Sequence, residues 1–338
     1  MIARAWDAYR LRIKRRRFLL RAWRKSRQLT AVHDRTSQIG PDEILCFATV
    51  RNEALRLSYW LDHYRKLGVR HFLIVDNASD DGTAELLAEQ TDVSVWSTPN
   101  SYKLSRFGMD WLTWLQRKHA HGHWALTVDA DELLVFPNSE THDLSALTKW
   151  LSGNGISSFG AVMLDMYPKG RLSQAPYEAG QDPTTAIPWF DPQIRHKPNT
   201  RFGSLWIQGG VRDRVFFAAR PERAPTLNKL PLVDWRRGYA YVTSTHHMLP
   251  RRLNRVFVAQ GVSQPSGVLL HTKFLNTIAA KSAEELERRQ HFENSSLYTT
   301  YYQNLIDDPD LWYDGSVRYT GPAQLEALGL MSKGDWTD

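Results

Sequence analysis

The stretch Ile44-Leu45-Cys46-Phe47-Ala48-Thr49-Val50-Arg51-Asn52-Glu53 begins a regular alternation of apolar runs and amphipathic segments. Ile44 to Val50 is a short apolar run, as expected of a buried parallel strand, and the next segment, to Leu67, has apolar residues at helical spacing. The alternation continues with predicted strands at 69–75, 93–97 and 124–128 and predicted helices at 83–89 and 104–119. This order predicts an α/β fold with a doubly wound, mostly parallel sheet and helices on both faces.

The composition fits a folded protein of ordinary size. The chain has 338 residues, of which 42% are hydrophobic and 23% are charged, so wholesale disorder is excluded. Its single cysteine, Cys46, excludes an internal disulfide framework and a multi-cysteine metal site. Neither an apolar run of about 18 residues nor a secretion signal is found, so we expect a cytoplasmic protein.

The positive charge is concentrated at the N-terminus. Residues 1–30 contain eleven Lys or Arg and one acid, a net charge of +10, whereas the other 308 residues have 32 basic and 35 acidic residues, a net charge of −3. Because the rest of the chain is slightly acidic, we expect no nucleic-acid partner. Apolar residues recur at helical spacing between the basic ones: Ile2, Trp6, Tyr9, Ile13, Leu20 and Trp23.

This pattern predicts an amphipathic basic helix that binds an anionic membrane surface through residues 1–27, at the inner face of the cytoplasmic membrane. A disordered basic tail and a helix that binds RNA or a protein partner remain alternatives. The predicted organisation is a basic arm at 1–35, a catalytic domain at 42–275 and a C-terminal helical extension at 276–338.

Polar residues follow three of the predicted strands. They are Arg51-Asn52-Glu53 after the first, Asp76-Asn77 after the second and Asp129-Ala130-Asp131-Glu132 after the fourth. Ligands of such sheets bind at the carboxyl ends of the strands, where Asp76 could hold a nucleoside. Asp129 and Asp131 offer the oxygen ligands that suit Mn²⁺ or Mg²⁺ bound to a phosphate. An ordinary turn is the alternative reading of these segments.

The ordered set resembles the family 2-like glycosyltransferases, which have the GT-A fold, and within them a subgroup related to glycosyltransferase family 92. The resemblance covers roughly residues 44–280. The matching motifs, as they stand here, are Thr49-Val50-Arg51-Asn52-Glu53, Val75-Asp76-Asn77, Ser79, Asp81-Gly82-Thr83, Val128-Asp129-Ala130-Asp131-Glu132, Asp165-Met166-Tyr167, Gly209-Gly210-Val211-Arg212, Lys229-Leu230-Pro231-Leu232-Val233, Leu270-His271 and Lys273-Phe274.

The resemblance implies a donor site and a metal site. Asp129, Asp131 and His271 would hold Mn²⁺ or Mg²⁺, and His271 stands at the end of the apolar run 267–270. The residues expected to contact the nucleotide-sugar donor are Arg51, Asn52, Glu53, Asp76, Asn77 and Asp129. Lys103 and Arg106 follow the third strand and could offset phosphate charge, or could lie in solvent at the start of a helix.

The catalytic base and the acceptor site are less well defined by the sequence. Asp165 is the first choice of base because it would end a strand at the same edge, and Asp213 and Asp234 are its rivals. His246 and His247 compete with His271 as the histidine of the metal site, or could instead face the acceptor or a phosphate. Three tryptophans could stack on sugar rings or could simply pack in the interior: Trp189, Trp206 and Trp235.

These features predict a metal-dependent glycosyltransferase that moves one sugar at a time from a nucleotide-sugar donor to a saccharide or lipid-linked acceptor. The Gln-x-x-Arg-Trp sequence of many processive synthases is absent. By analogy, the expected pathway is surface polysaccharide or lipopolysaccharide biosynthesis. A nucleotidyltransferase is one alternative function, and a catalytically silent, membrane-docked carbohydrate-binding or scaffold protein is another.

Overall fold

A nine-stranded sheet forms the centre of the described part of the protein. The computed structural model describes residues 2–257, 263–288 and 295–336. The strands are β1 (Thr30–His33), β2 (Ile44–Val50), β3 (Val69–Asp76), β4 (Val93–Ser97), β5 (Trp124–Thr127), β6 (Glu132–Val135), β7 (Ser158–Asp165), β8 (Trp189–Phe190), β9 (Ile194–Asn199), β10 (Ser204–Gly209), β11 (Asn228–Asp234), β12 (Ala240–Thr243), β13 (His247–Leu249), β14 (Ser266–His271) and β15 (Val317–Arg318). The helices are α1 (Ile2–Lys25), α2 (Ala54–Lys66), α3 (Thr83–Ala88), α4 (Met109–His119), α5 (Leu144–Gly153), α6 (Pro183–Ala186), α7 (Ile278–Arg288), α8 (Ser295–Ile306) and α9 (Pro322–Ala327).

The sheet has the order β1-β4-β3-β2-β5-β11-β7-β14-β6 among the described strands. The pairings show that β2, β3, β4, β5, β7 and β14 run in one direction and that β1, β6 and β11 run against them. The predicted α/β fold with a mostly parallel sheet is therefore confirmed. The carboxyl ends of the six parallel strands define one edge, called here the carboxyl edge.

Helices cover both faces of the sheet because successive side chains of a strand point to opposite sides. In β2, Cys46 and Ala48 belong to one apolar cluster with Trp60 of α2. Phe47 belongs to a second cluster with Trp111 of α4. The continuous apolar run of β2 is thus explained by burial on both faces.

Strand β11 was not predicted as part of the sheet. It lies antiparallel between β5 and β7, so its first residues, Asn228 and Lys229, lie at the carboxyl edge and its last residue, Asp234, lies at the opposite end. The alternation of strands and helices along the sequence ends after β5, and no local pattern indicates that a strand a hundred residues later enters the middle of the sheet.

The predicted helix at 104–119 begins later than expected. Lys103–Ser105 forms a 3₁₀ turn, and residues 106–108 all have positive φ before α4 starts at Met109. Gly108 has a φ of 74°, and a Cβ at this position would lie 2.6 Å from Thr49 Oγ1. The close approach of β2 therefore breaks the helix there.

The two ends of the chain both contact the central domain. Helix α1 packs on α4, β12 and β13, and α7 packs on α8. The predicted C-terminal helix at 279–292 is observed as α7, and residues 289–292 lie outside the described residues. The predicted domain boundaries stay a prediction. Of the helices described, none combines the length and the apolar character needed to span a membrane.

Candidate functional site

Hydrogen bonds join the loops that follow β2 and β3. Asn52, which has a φ of 53°, donates its backbone N–H to Ser79 Oγ at 3.0 Å and accepts from the Asp80 N–H at 3.0 Å. Asp81 accepts from the N–H groups of Ala54 and Thr83, at 3.1 and 3.0 Å. These Asn and Asp side chains serve as local turn acceptors. The two predicted donor-binding segments therefore form one rigid surface at the carboxyl edge.

Several of the predicted donor-binding side chains make hydrogen bonds within this surface. Arg51 Nη1 donates to the carbonyl oxygens of Asn77 and Ala78, both at 2.7 Å. Asn77 is buried and donates to the carbonyl of Thr98 at 2.8 Å, which ties β3 to the loop after β4. Asp76 is also buried, and accepts from Ser79. Asn77 therefore has a structural role, while the donor contacts of Arg51 and Asp76 stay predictions.

Helix α7 contacts the same surface from the side. Glu284 accepts from Arg51 Nε at 3.2 Å, and Lys281 Nζ lies 2.7 Å from Glu53 Oε1. Glu53 also pairs with the buried Arg56, whose Nη1 donates to the carbonyl of Thr272 at 3.1 Å. The start of the C-terminal extension is thus linked by charge pairs to the predicted donor site.

A buried ion pair supports the turn that carries Asp129. Lys229 Nζ, at the start of β11, lies 2.7 Å from Glu132 Oε1 and 3.5 Å from Asp129 Oδ2. Burial disfavours the charged lysine, but the carboxylates outweigh this effect and raise the pKa of Lys229. Burial raises the pKa of Glu132. The Asp129 side chain is 44% exposed, so its carboxylate still faces solvent.

Strand register brings Asp131, His271 and Asp165 into a line. On one side of β14, His271 is paired with Glu132 of β6, and on the other side it is paired with Asp165 of β7. His271 Nε2 lies 3.2 Å from Asp131 Oδ2, and His271 Nδ1 lies 2.6 Å from Asp165 Oδ1. Asp165 Oδ2 accepts from Arg212 Nε at 2.7 Å. Four charged groups therefore form a continuous chain at the carboxyl edge.

Each pKa in this chain has a clear cause. Burial alone would raise the pKa of Asp165, but Arg212 and then His271 lower it to about 2. Burial opposes protonation of His271, yet Asp131 and Asp165 raise its pKa. His271 in turn lowers the pKa of Asp131 well below its usual value. Burial and the nearby Arg212 lower the pKa of Lys273 to about 8.

The predicted metal ligands fit an ion in part. Asp165 accepts from His271 Nδ1, so in the neutral imidazole the lone pair is on Nε2, the atom that faces Asp131. A carboxylate behind a histidine is the usual support of a metal-binding imidazole. Asp131 and His271 are therefore suitable ligands, and Asp131 is 26% exposed. Within the described residues, however, no three His, Cys, Asp or Glu side chains are grouped closely enough to hold an ion, and Asp129 pairs with Lys229 instead.

The structure does not favour any of the three predicted catalytic bases. Asp165 is 1% exposed, and both of its oxygens accept hydrogen bonds, so it orients His271 instead of facing an acceptor. Asp213 pairs with the exposed Arg195. Asp234 lies beside Trp124, the first residue of β5, at the end of the sheet opposite the carboxyl edge. Its position in the sheet therefore excludes Asp234 as the catalytic base, and its burial excludes Asp165 from that role.

Arg106 has a different role from the predicted one. Its Nε donates to Asp110 Oδ1 at 2.8 Å, its Nη1 donates to the carbonyl of Tyr241 at 2.9 Å, and its guanidinium lies 3.8 Å from the ring centre of Phe18. These contacts fix helix α1, so Arg106 is not placed for phosphate binding. Lys103 lies in the 3₁₀ turn after β4, and its predicted phosphate contact is untested.

The predicted acceptor residues separate into two groups. Trp235 is fully buried among Tyr239 and Tyr241, so it packs in the interior and does not stack on a sugar. Trp189 and Trp206 are half-buried, on β8 and β10. His246 donates through Nδ1 to the carbonyl of Asn228 at 2.6 Å, next to Lys229. The acceptor roles of Trp189, Trp206 and His246 stay predictions.

Sequence reasoning gave no role to several residues of the site. Lys229 was part of the quoted motif, and a lysine within an apolar strand is a signal for a buried ion pair. Arg212 is buried beside Asp165, and only the fold shows this contact. The pKa of Tyr102 is raised by burial and by the carboxylates of Asp129 and Asp131.

Part of the chain is similar in sequence to a known glycosyltransferase. A protein of Oryza sativa subsp. japonica named as a glycosyltransferase family 92 protein is 29% identical over 106 residues, which are 29% of this chain and 17% of the rice protein. The predicted resemblance to family 92 is confirmed over this segment. The chain thus spans only a small part of the curated relative. No protein-family model matches the chain.

Two solved structures are similar to the chain at low scores. A 4-diphosphocytidyl-2C-methyl-D-erythritol synthase is 16% identical, with a TM-score of 0.26, and the alignment covers 42% of this chain and 68% of that one. A protein described as a glucose-1-phosphate thymidylyltransferase from Bacillus anthracis is 7% identical, with a TM-score of 0.28 and coverage of 78% and 82%. Scores of this size support no conclusion about function.

Proposed function

We propose that this protein is a metal-dependent glycosyltransferase, which transfers a sugar from a nucleotide-sugar donor to a saccharide or lipid-linked acceptor. The observation that carries the proposal is the line of Asp131, His271 and Asp165 at the carboxyl edge, the same edge at which the loops after β2 and β3 are joined. Arg56 connects the two regions, since it pairs with Glu53 and donates to the carbonyl of Thr272, the residue after His271. The similarity to a family 92 protein supports glycosyl transfer. Transfer of single sugars and a pathway of surface polysaccharide or lipopolysaccharide biosynthesis are part of the same proposal.

The residues of the chain have separable tasks in this reaction. Asp131 and His271 would hold Mn²⁺ or Mg²⁺, with Asp129 as the exposed carboxylate beside them. The ion, when bound, supplies a Lewis acid that stabilises negative charge on the leaving diphosphate. Asp165 and Arg212 hold His271 with Nε2 toward Asp131. The buried pair of Lys229 and Glu132 fixes the turn before β6.

The loops after β2 and β3 position the donor. Hydrogen bonds between the two loops hold them in place around Arg51 and the buried Asp76. A preorganised surface of this kind loses little entropy when a nucleotide binds. The acceptor hydroxyl must lose a proton, and Asp213 and His246 are the candidates for that step; burial lowers the pKa of His246 well below its usual value, which makes its imidazole a weak base.

The test is a panel of nucleotide sugars incubated with the protein and Mn²⁺, in which released nucleoside diphosphate is measured. We expect release with one donor and at least about a hundredfold loss in Asp131→Asn. Asp234→Asn is the matched control, because it removes a carboxylate at the far end of the sheet. Release of pyrophosphate from a nucleoside triphosphate and a sugar 1-phosphate would instead identify a nucleotidyltransferase and overturn the proposal.

Binding gives a readout that does not require turnover. A nucleoside diphosphate with Mn²⁺ should raise the melting temperature of the parent protein and of Asp234→Asn, because a ligand that binds the native state stabilises it. The same addition should have little effect on Asp131→Asn. An equal increase in all three proteins would contradict the assignment of Asp131 as a metal ligand.

A further inference from the structure

Helix α1 is held on the protein by a buried carboxylate between two arginines. Asp110 of α4 is fully buried, and its Oδ2 accepts from Arg21 Nη2 at 2.9 Å while its Oδ1 accepts from Arg106 Nε at 2.8 Å. Arg106 also stacks on Phe18 of α1. Breaking this ion pair is costly, because it would leave the charge of the buried Asp110 carboxylate uncompensated. The rotation of α1 about its own axis is therefore fixed.

Apolar contacts fix the same orientation. Ala22 is fully buried, and the buried Leu11 packs with Phe202 and Leu249. Leu11, Phe18 and Ala22 are separated by seven and four residues, so they lie on one face of the helix. This face is directed toward the central domain, and the opposite face of α1 points away from it.

The opposite face carries the apolar residues that the sequence pattern singles out. We call Trp6, Tyr9, Ile13, Leu20 and Trp23 the aromatic ridge. These five make up most of the eight large hydrophobic side chains that are exposed in the described part of the chain, with Trp6 exposed by 59% and Trp23 by 48%. The side chain of Ile2, predicted on the same face, lies outside the described side chains. A cluster of this kind on a single helix marks an interaction surface.

Exposed arginines surround the aromatic ridge. They are Arg10, Arg12, Arg16, Arg17, Arg24 and Arg27. The ridge thus combines aromatic and aliphatic side chains with a strongly basic border. Aromatic rings and guanidinium groups at this spacing match the boundary between acyl chains and anionic headgroups.

We propose that the aromatic ridge of α1 binds the surface of an anionic lipid bilayer. The net charge of the N-terminal segment selects this partner. Residues 1–30 have a net charge of +10, so a second copy of the same surface would be repelled. A nucleic acid would be attracted to the arginines, but it offers no apolar phase for Ile13 and Leu20, and the rest of the chain has a net charge of −3.

Helix α1 also contacts the loop that follows β4. Arg21 Nη2 donates to the carbonyl of Leu104 at 3.0 Å, and the Leu104 side chain is 68% exposed. Leu104 belongs to the loop after β4, and the last residues of β4 lie at the carboxyl edge beside Asp76. A bilayer in contact with α1 would therefore lie near the carboxyl edge. This membrane contact does not depend on the proposed chemistry.

The test is co-sedimentation of the full chain with vesicles, without substrate or metal. We expect binding to vesicles that contain phosphatidylglycerol and weak binding to pure phosphatidylcholine vesicles, with a decrease at high salt. Trp6→Ser with Trp23→Ser should lower the partition coefficient by about tenfold or more, and Arg16→Glu with Arg17→Glu should do the same. Both pairs are exposed, so the urea unfolding curve should be unchanged.

Matched controls change exposed residues elsewhere. Leu328→Ser removes an exposed apolar side chain near α9, and Arg70→Glu reverses an exposed charge on β3. Both should sediment with the vesicles like the parent protein. Three results would overturn the proposal. The first is equal vesicle binding by the parent and by Trp6→Ser with Trp23→Ser, and the second is a lipid-independent dimer that this double variant abolishes. The third is salt-sensitive RNA binding by a parent protein that does not bind vesicles. Failure of any enzyme assay would leave these outcomes unaffected.

Discussion

Replacing Asp165 by asparagine tests the central contact of the candidate site. Asp165 is 1% exposed and accepts from Arg212 Nε at 2.7 Å and from His271 Nδ1 at 2.6 Å. Asparagine keeps the size of the side chain, but one of its two polar groups becomes a donor. Either Arg212 or His271 must then face an N–H group, and the buried guanidinium loses its counter-ion.

The size of the effect follows from burial. Loss of one partner from a buried ion pair costs about 3–5 kcal/mol of the free energy of unfolding. Asp213→Asn is the matched control, because it removes the same charge from a pair with Arg195, which is 46% exposed. A pair that is open to solvent contributes less than about 1 kcal/mol. The two variants should therefore differ by about 3 kcal/mol.

Urea unfolding of the two variants and the parent measures this difference directly. A second measurement separates positioning from simple stability. Because Asp165 is one of the groups that raise the pKa of His271, nuclear magnetic resonance should show a lower pKa for His271 in Asp165→Asn and an unchanged one in Asp213→Asn. If Asp165→Asn unfolds within about 1 kcal/mol of Asp213→Asn, the reasoning about the buried contact is refuted.

Three further predictions concern burial elsewhere in the fold. Burial lowers the pKa of His63 to about 4, so the unfolded chain takes up a proton first as the pH falls from 6.5; His63 should contribute about 3 kcal/mol to the loss of unfolding free energy between pH 7 and pH 4, and His63→Gln should reduce that loss by the same amount in a urea-unfolding pH profile. Lys229→Met should cost about 3 kcal/mol in urea because Glu132 is left buried without its partner, and adding Glu132→Gln should recover most of it; a double variant no more stable than the single one would contradict the pairing. Gly160→Ala should cost about 1–3 kcal/mol, because its Cβ would lie 2.4 Å from Val256 Cγ2; if Val256→Ala does not relieve this cost in the double variant, the contact is not its cause.

Much of the first half of the fold could be predicted from the sequence. Strand β4 is observed at the predicted residues, and β2 and α2 differ from their predicted bounds by at most one residue. These elements are specified by local apolar periodicity, which reflects burial on one or both faces. The grouping of Asp76, Asp129 and Asp131 also follows from the sequence, because carboxyl ends of parallel strands share one edge of a sheet.

The partners of those side chains could not be predicted in the same way. Asp165 was expected to face the acceptor, but a strand more than a hundred residues later places His271 beside it, and Arg212 occupies its other oxygen. Asp234 was a rival candidate until the antiparallel direction of β11 placed it at the far end of the sheet. Strand direction and register are long-range properties that local composition does not encode.

Helix α1 shows the same division between local and long-range information. The sequence by itself determined that the residues near the N-terminus are strongly basic and have apolar side chains at helical spacing, since that follows from composition and spacing alone. Only the tertiary structure decided which face is covered: Asp110, fully buried in α4, pairs with Arg21 and directs the aromatic ridge away from the domain. The physical reason is that a buried carboxylate must be paired, and the orientation of α1 that pairs Asp110 also buries Leu11 and Ala22.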